Sequence, residues 1–248
     1  MIEAQNLTKV YEDGLCALDH VSFGVKAGEI FCLLGDNGAG KTTAINLFLG
    51  FLDPTEGVAT INGIDVKKDP LEAKRFVAYL SDIVMLYPNF SARQNLDFFA
   101  RLGGKQNLTR DDYYSVLRQV GLQEKAFEQK LKGFSKGMKL KGFSKGMRQK
   151  VGLAIAIIKD APAIILDEPT SGLDPKAANE FLAILHQLRA QGRAILMSTH
   201  DIFRAKEVAD IVGIMAEGKI LATKSRSELE HENLERLYLS YIHGKAAA

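Results

Sequence analysis

The stretch Gly35-Asp36-Asn37-Gly38-Ala39-Gly40-Lys41-Thr42 decides the fold of this chain. An apolar run at 31–34 precedes it, and a helical pattern at 44–49 follows it. This is the pattern G-x-x-x-x-G-K-[ST] between a strand and a helix, which is the context that a phosphate-binding loop requires. The alternative is a glycine-rich turn with a surface lysine, but every fixed position and both flanks fit the loop. The stretch predicts a nucleoside triphosphate site.

The residue types of this loop fit the chemistry of a triphosphate. Glycines let backbone N–H groups turn towards an anion, and the N-terminus of the following helix adds partial positive charge. Lys41 is predicted to reach the β- and γ-phosphates, and the Thr42 hydroxyl to bind Mg²⁺. The predicted nucleotide-binding residues of the loop are Gly35, Asn37, Gly38, Ala39, Gly40, Lys41, Thr42 and Thr43.

Composition is that of an ordinary globular protein. The 248 residues are 46% hydrophobic and 25% charged, with a formal net charge of +2. This length supports one large domain or a domain with a sub-domain. The near-neutral charge gives no general reason to expect nucleic acid as the main partner. Cys16 and Cys32 share no metal-type or redox spacing, and Cys32 is predicted to be a buried, reduced thiol.

The longest apolar tract, at 151–166, is too interrupted to cross a bilayer. Lys159, Asp160 and Pro162 break it, and a spanning helix needs about 20 apolar residues. No targeting segment precedes the first strand-like stretch. We therefore expect a protein of the cytosol or of the cytosolic side of a membrane.

Strand-like and helical patterns alternate along the chain, with a helical stretch between them. Strands are predicted at 2–11, 20–25, 29–34, 58–61 and 76–80, and again at 163–166 and 194–197. Between them, from about 85 to 158, the pattern is helical, with capping signals at Ser91 and Thr109. Buried apolar strands between helices predict a largely parallel sheet. The predicted fold is α/β: a phosphate-loop NTPase core with a mainly parallel sheet, an N-terminal antiparallel β part and an inserted helical sub-domain.

Nine residues occur twice in tandem, at 131–139 and 140–148, with one Lys-to-Arg difference. A single short repeat is not a solenoid. It creates a basic run at 130–150 without acidic residues, which suggests nucleic-acid binding. Because the duplication explains much of this charge, a solvated basic loop is the favoured interpretation.

Asp167 and Glu168 follow the apolar run at 163–166. A buried parallel strand delivers acids at its end to the carboxyl edge of the sheet, where the phosphate loop also lies. Asp167 is predicted to hold Mg²⁺, and Glu168 to orient or deprotonate the attacking water.

Taken together, these motifs resemble those of the ATP-binding cassette (ABC) ATPases. The phosphate loop, the stretch at 167–175 and Ser198-Thr199-His200-Asp201 occur in that family's order. The resemblance covers about residues 2–223, and it implies a single ABC ATPase domain over 1–248 with the helical sub-domain at about 85–158. It implies ATP and Mg²⁺ as cofactors.

The resemblance also implies roles for residues outside the loop. Tyr11 resembles the aromatic that stacks on adenine; the less favoured alternative is a tyrosine that packs at a strand end. His200 would contact the γ-phosphate and act with Glu168 and Lys41 in catalysis, although a lone histidine is often structural. Ser144 and Gly146 of the signature, here Ser-Lys-Gly-Met, would hold the γ-phosphate bound to a second copy. Asp174 would contact that copy, besides capping a helix.

Two features depart from the family pattern. Where the family has a glutamine after the strand at 76–80, this chain has Ser81-Asp82, so Asp82 is predicted to contact Mg²⁺ or its water. The second departure is the duplicated signature. We assign its function to Ser144 because only the second copy runs directly into the next helical pattern, a helix predicted at 147–158 that Ser144 would cap. Looping out nine residues costs little closure entropy.

The function that the resemblance implies is ATP hydrolysis that powers export through a separate membrane permease. Two copies would close around ATP as a homodimer, peripheral on the cytoplasmic face of the membrane and without nucleic acid. The permease would dock near residues 82–95, where Tyr87 and Phe90 lie. The branch of the family that this chain resembles exports drugs, antibiotics and lipids. The alternatives are a soluble ABC ATPase with a non-membrane partner, and a nucleotide-binding regulator with little turnover.

Overall fold

The structure is a computed structural model that describes residues 1–132, 134–135, 138–139, 142–231 and 234–243. The strands, in chain order, are β1 (Ile2–Val10), β2 (Cys16–Val25), β3 (Ile30–Leu34), β4 (Glu56–Ile61), β5 (Ile64–Asp65), β6 (Val77–Leu80), β7 (Phe134–Ser135), β8 (Met138–Lys139), β9 (Ala163–Asp167), β10 (Ala194–Thr199), β11 (Ile211–Ala216) and β12 (Lys219–Ser225). The helices are α1 (Lys41–Phe48), α2 (Pro70–Arg75), α3 (Ala92–Leu102), α4 (Arg110–Gln119), α5 (Lys145–Lys159), α6 (Pro175–Ala190), α7 (Ile202–Val208), α8 (Arg226–His231) and α9 (Leu234–His243).

An antiparallel sheet with the order β2-β1-β4-β5 forms the N-terminal part of the fold. Asn62 and Gly63 join β4 to β5, and both have positive φ, at 53° and 79°. Asparagine and glycine adopt that conformation at the lowest cost, which is why they favour such hairpins. The predicted antiparallel part is confirmed.

The central sheet has the order β12-β11-β3-β10-β9-β6. Every neighbouring pair in it is parallel except β11 with β12. Ser198 lies opposite Asp167, and Thr199 opposite Leu34. The carboxyl ends of β3, β9 and β10 therefore meet at one edge, and the predicted parallel sheet is confirmed. Strand β10 extends to Thr199, two residues beyond the predicted end.

Both faces of this sheet are covered. Successive side chains of β3 point to opposite faces, so that Ile30, Cys32 and Leu34 join one buried cluster while Phe31 and Leu33 join the other. Cys32 is fully buried, and burial raises the pKa of its thiol. This agrees with the predicted buried thiol. None of the helices in the described ranges is long and apolar enough to cross a membrane.

Helices α3, α4 and α5 pack against one another between β6 and β9 in the chain. Ser91 and Thr109 form capping boxes at α3 and α4, as predicted. Helix α5 begins at Lys145, earlier than the predicted start at Met147, because Ser144 accepts a hydrogen bond from the Met147 N–H and so caps the preceding turn. The sub-domain boundaries stay a prediction. The first copy of the repeat lies partly outside the described residues, at 133, 136 and 137.

Candidate functional site

The phosphate loop connects β3 to α1, as predicted, and its glycines are required by close neighbours. Gly40 caps α1 with a φ of 103°. A Cβ at Gly40 would lie 2.5 Å from the Ala17 carbonyl oxygen, and one at Gly35 would lie 2.2 Å from the Met215 carbonyl oxygen. Because these contacts are with backbone, no larger residue fits at either position. Neighbouring strands therefore hold the loop against the sheet edge.

Lys41 is buried beneath this loop, with 5% of its surface exposed. Its Nζ donates hydrogen bonds to the carbonyl oxygens of Gly35, at 2.6 Å, and Asp36, at 3.0 Å. The same Nζ lies 3.5 Å from Glu168 Oε1. A buried ammonium is stable only with such partners. Lys41 thus links the loop to Glu168, the carboxylate predicted to orient or deprotonate the attacking water.

The Thr42 hydroxyl and the Asp167 carboxylate lie side by side. Thr42 Oγ1 is 3.2 Å from Asp167 Oδ2, and Ser198 Oγ donates to Asp167 Oδ1 at 2.6 Å. No cluster of three or more His, Cys, Asp or Glu with metal-ligand geometry occurs in the described ranges. Mg²⁺ uses one or two protein oxygens together with substrate phosphates and water. Thr42 and Asp167 fit such an ion.

Ser198 is not among the predicted site residues, yet its side chain contacts both acids. Its Oγ donates to Asp167 and accepts from the Glu168 N–H at 3.0 Å, and its carbonyl oxygen is 3.3 Å from the same nitrogen. The parallel register that places Ser198 opposite Asp167 creates this contact. Its place two residues before the candidate histidine was the only hint in the sequence. That Ser198 contacts Asp167 depends on how the two strands pair.

Glu168 has a φ of 48°, a backbone conformation that residues other than glycine rarely adopt. Its Oε2 lies 3.0 Å from His200 Nδ1. Its Oε1 is buried without a hydrogen-bond partner, although Lys41 is within ion-pair distance. Strained residues and unpaired buried oxygens are concentrated at functional sites. Glu168 therefore has the geometry of a group that receives a further donor such as water.

Tyr11 lies close to the start of α1. Its hydroxyl is 3.4 Å from Thr43 Oγ1, and Lys9 Nζ lies 5.6 Å from the centre of its ring. The ring is half-buried, so one part packs and another stays accessible. The position beside the loop agrees with a role at the nucleotide. Stacking on adenine stays a prediction.

Asp82 forms an ion pair with Lys145, in the first turn of α5. The buried Gln149 donates to the Asp82 carbonyl oxygen at 3.0 Å. The carboxylate is therefore engaged with the signature segment, while Thr42 and Asp167 pair with each other. A contact between Asp82 and Mg²⁺ stays a prediction. Sequence reasoning missed Lys145 and Gln149, whose partner lies more than sixty residues earlier.

Ser144, Gly146 and Asp174 lie at helix starts. Ser144 caps α5, and Asp174 caps α6 by accepting from the Ala177 N–H at 2.9 Å. A Cβ at Gly146 would lie 3.1 Å from Ala177 Cβ, so the two helix starts are adjacent. Within the described ranges, no hydrogen bond or ion pair joins these three residues to the phosphate loop of the same chain. Their roles towards a second copy stay predictions.

Comparison with known proteins agrees with this site. A family model described as ABC transporter matches residues 18–171. The chain is 32% identical to the probable multidrug ABC transporter ATP-binding protein YbhF of Escherichia coli (strain K12), over 98% of this chain but 42% of YbhF. It is 36% identical to the bacitracin transport ATP-binding protein BcrA of Bacillus licheniformis, over 97% of this chain and 74% of BcrA. The chain thus spans about two fifths of one relative and three quarters of the other.

Solved structures agree on the fold. The ATP-binding subunit of an ABC transporter has a TM-score of 0.81 and 30% identity, covering 97% of this chain and 98% of that one. A dimeric post-hydrolysis state of the ATP-binding cassette MJ0796, bound to ADP and Pi, has a TM-score of 0.77 and 24% identity. The alignment with MJ0796 covers 91% of this chain and 99% of that one.

Proposed function

The chain belongs to the ABC transporter family, and we propose that it is the ATP-hydrolysing subunit of an exporter whose pore is a separate membrane permease. One observation carries this proposal. Lys41, Thr42, Asp167, Glu168 and His200 meet at one edge of the parallel sheet, at the end of the phosphate loop. These groups supply what phosphoryl transfer to water needs: an anion cradle, oxygen ligands and an acceptor for a proton.

In this proposal the loop and Lys41 bind the triphosphate. Binding requires the Lys41 ammonium to exchange its two carbonyl contacts for phosphate oxygens, while backbone N–H groups take the remaining charge. Thr42 and Asp167 would hold Mg²⁺, which when bound neutralises charge on the β- and γ-phosphate oxygens. Ser198 keeps the Asp167 carboxylate in position for that ion through its short hydrogen bond.

Glu168 is the proposed acceptor for the proton of the attacking water. Oε1 has no hydrogen-bond partner, so it is free to accept one from water. His200 holds Oε2, and in this way fixes the orientation of the carboxylate. His200 is more than half exposed, at 53% of its side chain, so it is also accessible to the γ-phosphate. Its phosphate contact is part of the proposal.

A second copy would complete each site. Ser144 and Asp174 are exposed, and the N–H groups in the first turn of α5 would face the phosphate of ATP that is bound to the other chain. The dimeric MJ0796 cassette shares the fold at 24% identity, so it supports this arrangement only by analogy. Two copies related by a two-fold axis would make two equivalent sites. The single-domain division, with the helical sub-domain at about 85–158, belongs to this proposal.

The permease would dock on the groove next to β6 and α3. The groove has a volume of about 950 Å³, and Met85 and Leu102 at its rim are 80% and 73% exposed. Tyr87 and Phe90 lie near it and are partly exposed. Exposed apolar patches of this kind mark interaction sites. The names of two relatives, a probable multidrug ABC transporter protein and a bacitracin transport protein, support a role in transport. The proposal adds that the direction is export and that the chain lies at the cytoplasmic face of a membrane.

Two measurements test the proposal. Purified protein should hydrolyse ATP only when Mg²⁺ is present, and chelation should remove the activity. The chain should also sediment with membranes only when the permease from its own operon is co-expressed. Hydrolysis without membrane association would favour the soluble alternative. Membrane association without hydrolysis in the complete transporter would favour the regulator.

A further inference from the structure

The C-terminal helix reaches the phosphate loop through one side chain. The Tyr238 hydroxyl, on α9, donates a hydrogen bond to Asp36 Oδ1 at 2.8 Å, although 202 positions separate the two residues. Asp36 is the second residue of the phosphate loop. None of the sequence motifs includes Tyr238, and the mechanism above does not use it.

Packing in the core fixes the position of Tyr238 on α9. Only 6% of its surface is exposed, and it belongs to the same buried cluster as Leu34, the last residue of the strand before the loop. Leu234, one turn earlier, is 2% exposed in the same cluster. Helix α9 also packs against α7, which follows His200. Burial and the neighbouring carboxylate raise the pKa of Tyr238, so its hydroxyl stays a proton donor.

Asp36 places a negative charge inside a loop built for anions. Its carbonyl oxygen is engaged by Lys41 Nζ and by the Ala39 N–H, so its backbone is fixed. Its side chain is exposed. A carboxylate is also an anion of the kind that the N–H groups of the loop can bind. A free carboxylate there would repel the triphosphate or compete with it for those groups. ATP binding therefore requires a contact that holds the Asp36 carboxylate away from these N–H groups.

We propose that Tyr238 is a positioning residue that holds the Asp36 carboxylate on the C-terminal helix, away from the anion cradle of the phosphate loop. This inference rests on the proposed function, because it concerns ATP binding at that loop. It makes α9 part of the nucleotide site, and it predicts that ATP affinity depends on how α9 is seated.

The test compares ATP binding by purified full-length variants. Tyr238→Phe keeps the buried ring and removes only the hydroxyl, so the fold is retained, as a thermal melt would check. Loss of one hydrogen bond to a charged group should raise the Kd of a fluorescent ATP analogue, and the KM for ATP, about three- to tenfold with kcat nearly unchanged. Ser240→Ala is the matched control, since that hydroxyl donates a hydrogen bond to the Leu237 carbonyl oxygen of its own helix.

The double variant separates charge from packing. Asp36→Asn removes the charge but keeps an oxygen that can accept from Tyr238. In the Asp36→Asn background, Tyr238→Phe should have no further effect on Kd. A wild-type Kd for Tyr238→Phe, or an equal loss in both backgrounds, would overturn the inference while leaving the proposed function intact. Failure of the wild-type chain to bind ATP would overturn both.

Discussion

The phosphate-loop edge of the sheet and the first turns of α5 and α6 are both proposed to serve one ATP, but they are built differently. At the sheet edge, Lys41, Asp167 and Glu168 contact one another or Ser198. At the helix starts, Ser144 and Asp174 bond to the backbone of their own helices and face solvent. The first half is preorganised within one chain. The second is a pair of caps, and its proposed function appears only when another copy supplies the phosphate.

The largest expected effect is at the sheet edge. Glu168→Gln keeps the size of the side chain but removes its ability to accept a proton, so kcat should fall by about two to four orders of magnitude. ATP binding should survive, because Lys41 and the loop are unchanged. Steady-state hydrolysis and a filter-binding assay measure the two quantities. Turnover within tenfold of wild type would show that another group is the base.

A smaller effect is expected at the helix start. Ser144→Ala should lower the turnover of the dimer about tenfold by removing one charge-assisted hydrogen bond to phosphate, while ATP binding by the isolated monomer stays unchanged. It should also cost about 1 kcal/mol of stability as a lost cap.

Thr109→Ala is the matched control for that experiment, because Thr109 caps α4 in the same manner. It should lose similar stability, read from chemical denaturation, and keep full turnover. If both variants lose turnover equally, Ser144 acts through helix stability alone, and the contrast between the two halves is lost.

Asp82, which follows β6 and pairs with Lys145 of α5, sharpens the comparison further. Asp82→Asn breaks an ion pair whose side chains are 41% and 36% exposed, and such a pair contributes at most about 1 kcal/mol. If the ion pair with Lys145 is the whole role of Asp82, turnover should fall only about twofold to threefold, and the Mg²⁺ concentration for half-maximal activity should stay unchanged. Asp167→Asn is the positive control, and it should raise that concentration strongly. A matching rise for Asp82→Asn would place Asp82 at the ion.

The smallest effect is expected from the repeat. Deleting residues 131–139 leaves one signature, and it should keep or improve ATPase activity, because a nine-residue insertion adds little closure entropy. Steady-state hydrolysis by the deletion variant measures this. An inactive but folded deletion variant would mean that the first copy has the function assigned to Ser144.

Much of the sheet-edge half could be predicted from the sequence because its determinants are local. The glycines, Lys41 and Thr42 are adjacent in the chain, and Asp167 and Glu168 follow a recognisable buried strand. Parallel topology then brings the strand ends to one edge. Helix caps were also predictable, since Ser91 and Thr109 act on residues three positions away.

Contacts set by packing were not predictable in this way. Ser198 reaches Asp167 because of the register between two strands, and Lys145 reaches Asp82 because α5 packs on β6. Tyr238 meets Asp36 across most of the chain. No local pattern marks such pairs.

The central claim is that each active site combines the phosphate loop of one copy with Ser144 of another. As part of the transporter, Lys41→Ala chains should be nearly inactive alone, and Ser144→Ala chains should keep about a tenth of wild-type turnover. When the two variant chains are mixed in equal amounts, about half of the dimers contain one chain of each kind. Each of these mixed dimers has one intact site of two, so about one quarter of wild-type hydrolysis should return. If mixed dimers form and the mixture is no more active than the Ser144→Ala chain alone, the phosphate loop and Ser144 act within the same chain, and the claim is wrong.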